Sequence, residues 1–291
     1  SPHYRFFLRV RQTQYSLVMT NDPFDPQERA IWKRGVEPDA RFRSALRIDP
    51  LLVNFAEAVK VLQGEGYDVT ADFSGQSAAE VRRFLEDWVR RMDALYMAAS
   101  LPPTFSVAGD TVMVRIVKEC LLPVSRELGV PFAMMIGVKK LGNKQLGLAG
   151  DSVGKADIRV VEELCSEYPH NKFLVTMLSR ENQHELAVAA RKYRNLMVFG
   201  CWWFLNNPSL VEEITAMRLE TLGLSFIPQH SDARVLEHLV YKWEHAREII
   251  GRVLLGKYED LLASGWELTE EELERDIAHL FQGNFRSFVG R

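Results

Sequence analysis

Short apolar runs alternate with longer amphipathic segments along most of the chain. The runs are rich in β-branched and aromatic residues and show little apolar–polar alternation, which is typical of parallel strands covered on both faces. On this pattern we predict strands at Tyr15–Thr20, Phe42–Leu46, Tyr96–Ala99, Phe132–Ile136, Lys172–Met177, Leu196–Phe199 and Ser225–Ile227. The sequence therefore predicts an α/β protein with a mostly parallel sheet.

Helix signals fill the segments between these runs. The segment Ala78–Asp93 has apolar residues along one helical face and charged residues on the opposite face. Asn207 followed by Pro208 is a common start of a helix, an N-cap with proline in the first turn. Near the C-terminus, Thr269 and Glu272 have the spacing of a capping box. The chain thus predicts strand–helix units that repeat about seven times.

Seven strand–helix units leave two architectures open. A doubly wound sheet can hold seven strands, whereas a closed β/α barrel needs eight. A length of 291 residues fits either one large domain or two small ones. The choice between the two architectures therefore depends on other features of the sequence.

Composition and charge narrow the range of functions. The chain is 47% hydrophobic and 26% charged with a net charge of −3, so nothing favours nucleic acid or an anionic membrane surface as a partner. Cys120, Cys165 and Cys201 are far apart and include no C-x-x-C pair, which predicts reduced thiols in a cytoplasmic protein. No apolar run reaches the roughly 20 residues of a transmembrane span. Because residue 1 is Ser, we expect a processed or truncated start.

Arginines recur just after the predicted strands, where the functional groups of a β/α barrel lie. Arg47, Arg180 and Arg234 follow the second, fifth and seventh strands, respectively. Any one of them alone is more simply explained by strand capping or by an ion pair with Asp49, Glu181 or Asp232. Three together indicate a site for an anionic ligand, because the guanidinium fork matches a carboxylate bidentately.

Two more motifs after strands are candidates for the same site. His230 and Asp232 lie on one side of an extended segment, so they can supply two metal ligands or an acid/base pair, although a surface turn explains them equally well. Trp202 and Trp203 follow the strand Leu196–Phe199. Adjacent strand residues face opposite ways, so one ring is expected to enter the barrel mouth while the other packs against helices.

Five of these motifs together resemble a known family. Met19–Asp25, Leu46–Pro50, Leu178–Asn182, Gly200–Phe204 and His230–Arg234 match the uronate isomerases of the amidohydrolase superfamily in order and spacing. The resemblance runs from about Val18 to the C-terminus, is closest to the branch found in bacilli, and is poor over residues 1–17. It implies an α/β fold, a (β/α)₈ TIM-type barrel lacking its first β/α unit, in a single domain over residues 1–291.

The resemblance also implies an activity and a set of site residues. Uronate isomerases convert D-glucuronate to D-fructuronate and D-galacturonate to D-tagaturonate by C2-to-C1 proton transfer through an enediol, so a small hexuronate is the implied partner. Asp232 would be a metal ligand that also moves a proton, and Arg234 would lie beside the reacting carbons. The implied substrate-binding residues are Arg47 and Arg180, which would hold the carboxylate, and Trp202 and Trp203, which would wall the pocket.

The sequence departs from this family at its start. The family's first strand carries a His-x-His pair that binds a divalent metal, usually zinc, and a later His-Tyr pair takes part in acid/base chemistry. Neither pair occurs in the part of the chain that resembles the family, and both would precede residue 1. We therefore expect an N-terminally incomplete chain that does not bind the metal tightly.

Two alternatives to an active isomerase follow from this departure. The chain is then an inactive remnant or sugar-acid binding module, or else a metal-dependent hydrolase of the same superfamily. An incomplete barrel would also expose strand edges and core residues. Such exposure favours homo-oligomers.

Overall fold

The computed structural model describes residues 17–230, 232–233 and 236–290, and its centre is a six-stranded parallel sheet. In chain order the strands are β1 (Leu17–Asn21), β2 (Phe42–Arg47), β3 (Met97–Leu101), β4 (Phe132–Ile136), β5 (Val138–Lys139), β6 (Ser152–Val153), β7 (Phe173–Met177) and β8 (Leu196–Val198). The sheet has the order β1-β2-β3-β4-β7-β8, and β5 and β6 form a separate antiparallel ribbon. Beyond β8, Phe199 and Ile227 add one parallel bridge.

Helices occupy the connections between the strands. They are α1 (Pro26–Arg34), α2 (Asp49–Val53), α3 (Phe55–Gly64), α4 (Ser77–Met92), α5 (Val112–Arg115), α6 (Leu122–Leu128), α7 (Arg159–Glu167), α8 (Gln183–Lys192), α9 (Pro208–Leu222), α10 (Leu236–Ala263), α11 (Glu270–Ala278) and α12 (Asn284–Val289). Turns of π-helix over Ile116–Leu121 and His279–Gly283 join neighbouring helices. Within the described ranges, no helix combines the length and the apolar character that crossing a bilayer requires.

The strand order decides between the two architectures that the sequence leaves open. A doubly wound sheet reverses its strand order at a switch point, whereas the strands of a β/α barrel follow one another around the wall. Here all six strands are parallel and neighbours in chain order. The sheet is therefore the wall of a β/α barrel, which confirms the fold implied by the sequence.

Six of the seven predicted strands are confirmed in the described residues, with ends that agree closely. Tyr15 and Ser16, at the start of the first predicted strand, lie outside the described residues. The last predicted strand, Ser225–Ile227, is reduced to the single bridge of Ile227 with Phe199. The ribbon of β5 and β6 has no counterpart among the predictions, because strands of two residues are too short to show a periodicity.

Both faces of the central strands β3, β4 and β7 are buried, and the side chains alternate between the two faces. On β7, Phe173, Val175 and Met177 pack among the helices outside the wall. Leu174, between them, belongs to a second apolar cluster inside the wall, together with Ala133 of β4. This alternation explains why the strands read as continuous apolar runs rather than as amphipathic ones.

Helix α12 closes the inside of the wall at the amino-terminal ends of the strands. The Nζ atom of Lys172, the residue before β7, donates a hydrogen bond to the carbonyl of Phe288 at 2.8 Å. The Phe285 ring stacks on Phe199 with centroids 6.2 Å apart and meets the edge of Tyr96 at 6.1 Å. With apolar groups filling this end, the carboxyl-terminal ends of the strands form the open mouth of the wall.

A chain of buried polar side chains ties the loops after β7 and β8 to the surrounding helices. Arg218 of α9 is 1% exposed, and its Nη2 donates to Oε1 of Gln183 at 3.0 Å. The Gln183 amide donates in turn to the carbonyl oxygens of Met177 and Ser179, at 2.6 and 2.9 Å. The other arm of the guanidinium reaches the Sγ atom of Cys201 at 3.9 Å. Burial lowers the pKa of Arg218. This direction is expected because the partners named here, Gln183 and Cys201, offer no carboxylate to stabilise the cation.

We expect Gln183→Leu to lower the free energy of unfolding by roughly 2–4 kcal/mol. Leucine leaves the Arg218 guanidinium and the two strand-end carbonyls without their partner in a dry environment. Urea denaturation followed by circular dichroism measures the change. The control is Gln145→Leu, at an exposed glutamine, which should change the stability by no more than about 0.5 kcal/mol. Equal stabilities of the two variants would contradict a structural role for the buried amide.

Candidate functional site

The mouth of the wall opens into a cavity of about 840 Å³. Apolar side chains line its inner part, including Tyr96, Phe199 and Phe285. Polar and aromatic side chains line the mouth, namely Arg47, Ser100, Lys140, Asp151, Trp202, Trp203, Gln229, His230 and Asp232. The position at the carboxyl ends of parallel strands is the usual place for an active site in this architecture.

Arg47 faces the cavity from the end of β2 and is held by a neighbouring carboxylate. Ala45, two residues earlier, packs inside the wall, so strand alternation turns Arg47 inward as well. Its Nε and Nη2 atoms each donate to a different oxygen of Asp49 at 3.0 Å. Asp49 also accepts a hydrogen bond from the backbone N–H of Ser100 at 3.2 Å. The ion pair between Arg47 and Asp49, which the sequence suggested as a simple explanation of this arginine, is therefore present at the wall of the cavity.

Two further carboxylates lie close to the Arg47 guanidinium, those of Asp22 and Glu28. Burial raises the pKa of Asp22, while a hydrogen bond from the Phe24 N–H and the positive charge of Arg47 oppose the rise. Burial lowers the pKa of Arg47, but the bonds to Asp49 and the nearby negative charges outweigh it, so this pKa lies above its usual value. Negative groups therefore offset part of the Arg47 charge at the corner of the mouth formed by β1 and β2.

Both tryptophans line the cavity, so the expectation that one ring packs against the helices is wrong. That expectation depends on strand alternation, and β8 ends at Val198. The chain then turns at Gly200, with φ of 73°, and again at Trp203, with φ of 47°. The ring centroids of Trp202 and Trp203 lie 5.8 Å apart. A Cβ atom on Gly200 would lie 2.5 Å from the backbone N of His230, so glycine permits the close approach of these two loops.

His230 and Asp232 both line the cavity, although Asp232 does not have the expected extended backbone conformation. Asp232 has a φ of 44°, and Ser231 between them lies outside the described residues. The Nδ1 atom of His230 is buried without a hydrogen-bond partner in the described structure. Burial lowers the pKa of His230, the negative charge of Asp232 opposes the change, and the positive charge of Lys242 adds to it.

Arg180 does not reach the cavity in the described structure. Its side chain is 58% exposed, and Nε and Nη2 donate to the two carboxylate oxygens of Glu213 at 3.1 and 2.9 Å. The adjacent carboxylate, that of Glu181, is bonded to the Ser179 hydroxyl instead. The structure thus brings together Arg47, Trp202, Trp203 and Asp232 around one cavity and leaves Arg180 outside it. Arg234 lies outside the described residues.

Further polar residues line the mouth beside the candidates described above. Lys140 follows β5, and Asp151 precedes β6. The ribbon brings the two residues to the cavity together, from eleven positions apart in the chain. Gln229, which is 6% exposed, donates through Nε2 to Oδ1 of Asn206 at 3.2 Å. The sequence shows Lys140 only as a residue shortly after the predicted strand Phe132–Ile136, because the pairing of the ribbon is a tertiary feature.

The described residues do not make a complete metal site. No group of three or more His, Cys, Asp or Glu side chains among them is placed to hold a metal ion. His230 and Asp232 supply two donors at the cavity, whereas protein zinc sites use three or four protein ligands.

Comparison with known proteins gives close similarity to one solved structure. The chain is 55% identical to a uronate isomerase from Bacillus halodurans C-125, with a TM-score of 0.93 over 98% of this chain and 70% of that chain. A uronate isomerase from Thermotoga maritima is 15% identical, with a TM-score of 0.77 over 98% of this chain and 69% of that one. A glucuronate isomerase from Caulobacter crescentus is 15% identical, with a TM-score of 0.78 over 97% of this chain and 65% of that one. No protein-family model and no curated protein matches the chain.

These similarities agree with the architecture and with the motifs. The two structures at 15% identity support the fold, and the structure at 55% identity extends the likeness to the sequence of almost the whole chain. The chain spans about 70% of the length of that relative. On this evidence the chain belongs to the uronate isomerase family.

Proposed function

We propose that the chain binds a hexuronate at the mouth of the wall and isomerises it between aldose and ketose. The substrates would be D-glucuronate, converted to D-fructuronate, and D-galacturonate, converted to D-tagaturonate. The observation that carries this proposal is the meeting of Arg47, Asp232 and two tryptophans around one cavity, in a member of an isomerase family. The cavity of about 840 Å³ has room for a six-carbon sugar acid.

The mouth residues match the chemical features of a hexuronate. Arginine has five N–H donors, and Asp49 takes two of those of Arg47, so three remain for a substrate carboxylate. Trp202 and Trp203 offer large apolar faces against which a sugar ring can pack, with an indole N–H at the edge of each. We assign Arg180 to the substrate carboxylate as well, which requires its side chain to leave Glu213.

The isomerisation is a transfer of protons that needs no redox cofactor. A base removes the proton from C2 of the open-chain aldehyde, the electron pair forms the C1–C2 double bond, and O1 takes a proton. The O2 proton then leaves, a carbonyl forms at C2, and C1 receives a proton. We assign the carbon-to-carbon proton transfer to the Asp232 carboxylate and stabilisation of the enediolate to the Arg234 guanidinium.

We also propose a divalent metal, zinc, as the cofactor of the complete enzyme, with Asp232 as one of its ligands. A bound metal would supply Lewis-acid polarisation of the substrate oxygens. Because the described residues do not complete such a site, none of the steps above is assigned to a metal. The same observation favours a second candidate function, a sugar-acid binding module that holds the hexuronate without turning it over.

A cytoplasmic location is part of this proposal. It is supported by Cys120, Cys165 and Cys201, which are free and buried. Burial raises the pKa of Cys120 and Cys165 to about 12, so these thiols stay protonated and unreactive at neutral pH. Free structural thiols of this kind are typical of a reducing compartment.

The assignment of Asp232 predicts a loss of proton exchange without a loss of binding. We expect the chain to wash the C2 proton of D-glucuronate out into D₂O, and Asp232→Asn to slow this exchange by at least about 100-fold. Proton NMR of the C2 signal measures the rate, and calorimetric titration measures the affinity. Glu237→Gln, at an exposed residue of α10, is the matched control and should exchange at the parent rate. Binding by the parent chain without exchange would select the binding module instead.

Because both tryptophans line the cavity, we expect the loss of either ring to weaken sugar binding. We expect Trp202→Ala and Trp203→Ala each to raise the dissociation constant for D-glucuronate by about 3- to 10-fold, because an aromatic face is lost from the cavity. Isothermal titration calorimetry gives the constants. Trp266→Ala is the control, since Trp266 is 59% exposed and does not line the cavity, and its affinity should not change. If all three variants bound D-glucuronate with the same affinity, the sugar would not contact Trp202 or Trp203.

A further inference from the structure

We propose that Lys140 is a further substrate-binding residue, which contacts the hexuronate carboxylate and gives the site its preference for charged over neutral sugars. This inference rests on the proposed function, because it names a specificity residue of the same cavity. Lys140 lies at the carboxyl end of the ribbon strand β5, on the mouth of the wall. We infer its role from the ion pairs that the other cations already form and from the contacts that position the ribbon.

The arginines expected to bind the carboxylate already have carboxylate partners. Arg47 makes a bidentate pair with Asp49, and the negative charges of Asp22 and Glu28 also act on it. The carboxylates of Asp49, Asp22 and Glu28 offset part of the Arg47 charge, which weakens its attraction for an incoming anion. Arg180 makes a bidentate pair with Glu213 away from the cavity. A second cation near Arg47 would restore the attraction.

Lys140 is the mouth residue that can supply this charge. Within the described part of the chain, its ammonium forms no ion pair or hydrogen bond. Of the other cations that line the cavity, Arg43 and Arg286 lie toward the amino-terminal end of the strands, and Arg43 is bonded to Asp93 at 3.0 Å. The Lys140 side chain is exposed, so its charge is hydrated and available until a ligand enters.

The ribbon holds the backbone of Lys140 in a fixed place. Val138 pairs with Val153 and Lys139 with Ser152, so Lys140 continues a paired strand. One residue later, the N–H of Leu141 donates to the carboxylate of Asp151 at 2.8 Å, which closes the end of the ribbon. This bond gives the Asp151 carboxylate, which also lines the cavity, a partner other than the Lys140 ammonium.

The ribbon is also packed tightly against its surroundings. A Cβ atom on Gly154 would lie 2.6 Å from the Pro103 ring, in the loop after β3. A Cβ atom on Gly142 would lie 2.4 Å from the Ser152 hydroxyl. The first approach packs the ribbon against the loop after β3, and the second closes the ribbon on its own loop, so the flexible lysine stem extends from a packed base at the mouth. The ammonium can therefore meet a carboxylate in the cavity without a rearrangement of the loop.

The test compares charge removal at Lys140 with charge removal elsewhere in the same loop. The variants of the full 291-residue chain are Lys140→Met, Lys140→Arg and Lys144→Met, whose wild-type lysine is exposed and does not line the cavity. Calorimetric titrations with D-glucuronate and with neutral D-glucose give the ratio of the two affinities. Circular dichroism confirms that each variant is folded.

We expect Lys140→Met to weaken D-glucuronate binding by about tenfold or more and to leave D-glucose binding unchanged, because one charge-assisted contact is lost. Lys140→Arg should stay within about threefold of the parent chain, and Lys144→Met should match it. Adding salt should weaken D-glucuronate binding less in Lys140→Met than in the parent chain.

Three outcomes would overturn the inference, and they are distinguishable. Unchanged D-glucuronate binding in Lys140→Met would refute the role of Lys140 while leaving the proposed function intact. An equal loss of affinity for D-glucuronate and D-glucose would show a damaged cavity rather than a lost charge contact. Failure of the parent chain to bind D-glucuronate at all would refute the proposed function and this inference together.

Discussion

The central strands of the wall bury both of their faces, because helices pack on the outside and apolar side chains fill the inside. The alternation on β7 and β4 shows this arrangement, since successive residues enter the outer and the inner cluster in turn. Within the strands, the ladder of hydrogen bonds satisfies the backbone, so ionised side chains find water only at strand ends. Because α12 fills the amino-terminal end with phenylalanine rings, the carboxyl-terminal mouth is where Arg47 and Asp232 can meet a ligand.

Hydrogen bonds then fix the polar groups at that mouth. Asp49 holds the Arg47 fork and the backbone of Ser100, which ties β2 to β3 where both enter the cavity. Arg218 and Gln183, which are bonded to each other, connect the loops after β7 and β8 in the same way through bonds to Met177 and Cys201. Such bonds position the side chains before the substrate arrives, so less conformational entropy is lost on binding. They also use part of the positive charge that an anionic substrate requires.

Much of the fold and part of the site could be predicted from the sequence. Apolar runs located the strands because burial on both faces leaves a continuous pattern. Arg47, Trp202, Trp203 and Asp232 were recognisable because residues just after parallel strands meet at one mouth. The family was recognisable because its motifs keep their order along the chain, and the 55% identity to a uronate isomerase agrees with it.

The sequence by itself thus determined the strands, the family and the residues that can reach the mouth, since each depends on local composition and spacing. The tertiary structure alone decided which way the side chains point after the strands end. The turn at Gly200 directs both tryptophans inward, and Glu213, thirty-three positions away, draws Arg180 outward. The β5–β6 ribbon likewise places Lys140 and Asp151 at the cavity through pairing of distant residues. Within a strand, side chains alternate with a period of two residues. After the strand ends, the backbone dihedrals and contacts with distant residues determine the direction of a side chain, and both depend on the tertiary structure.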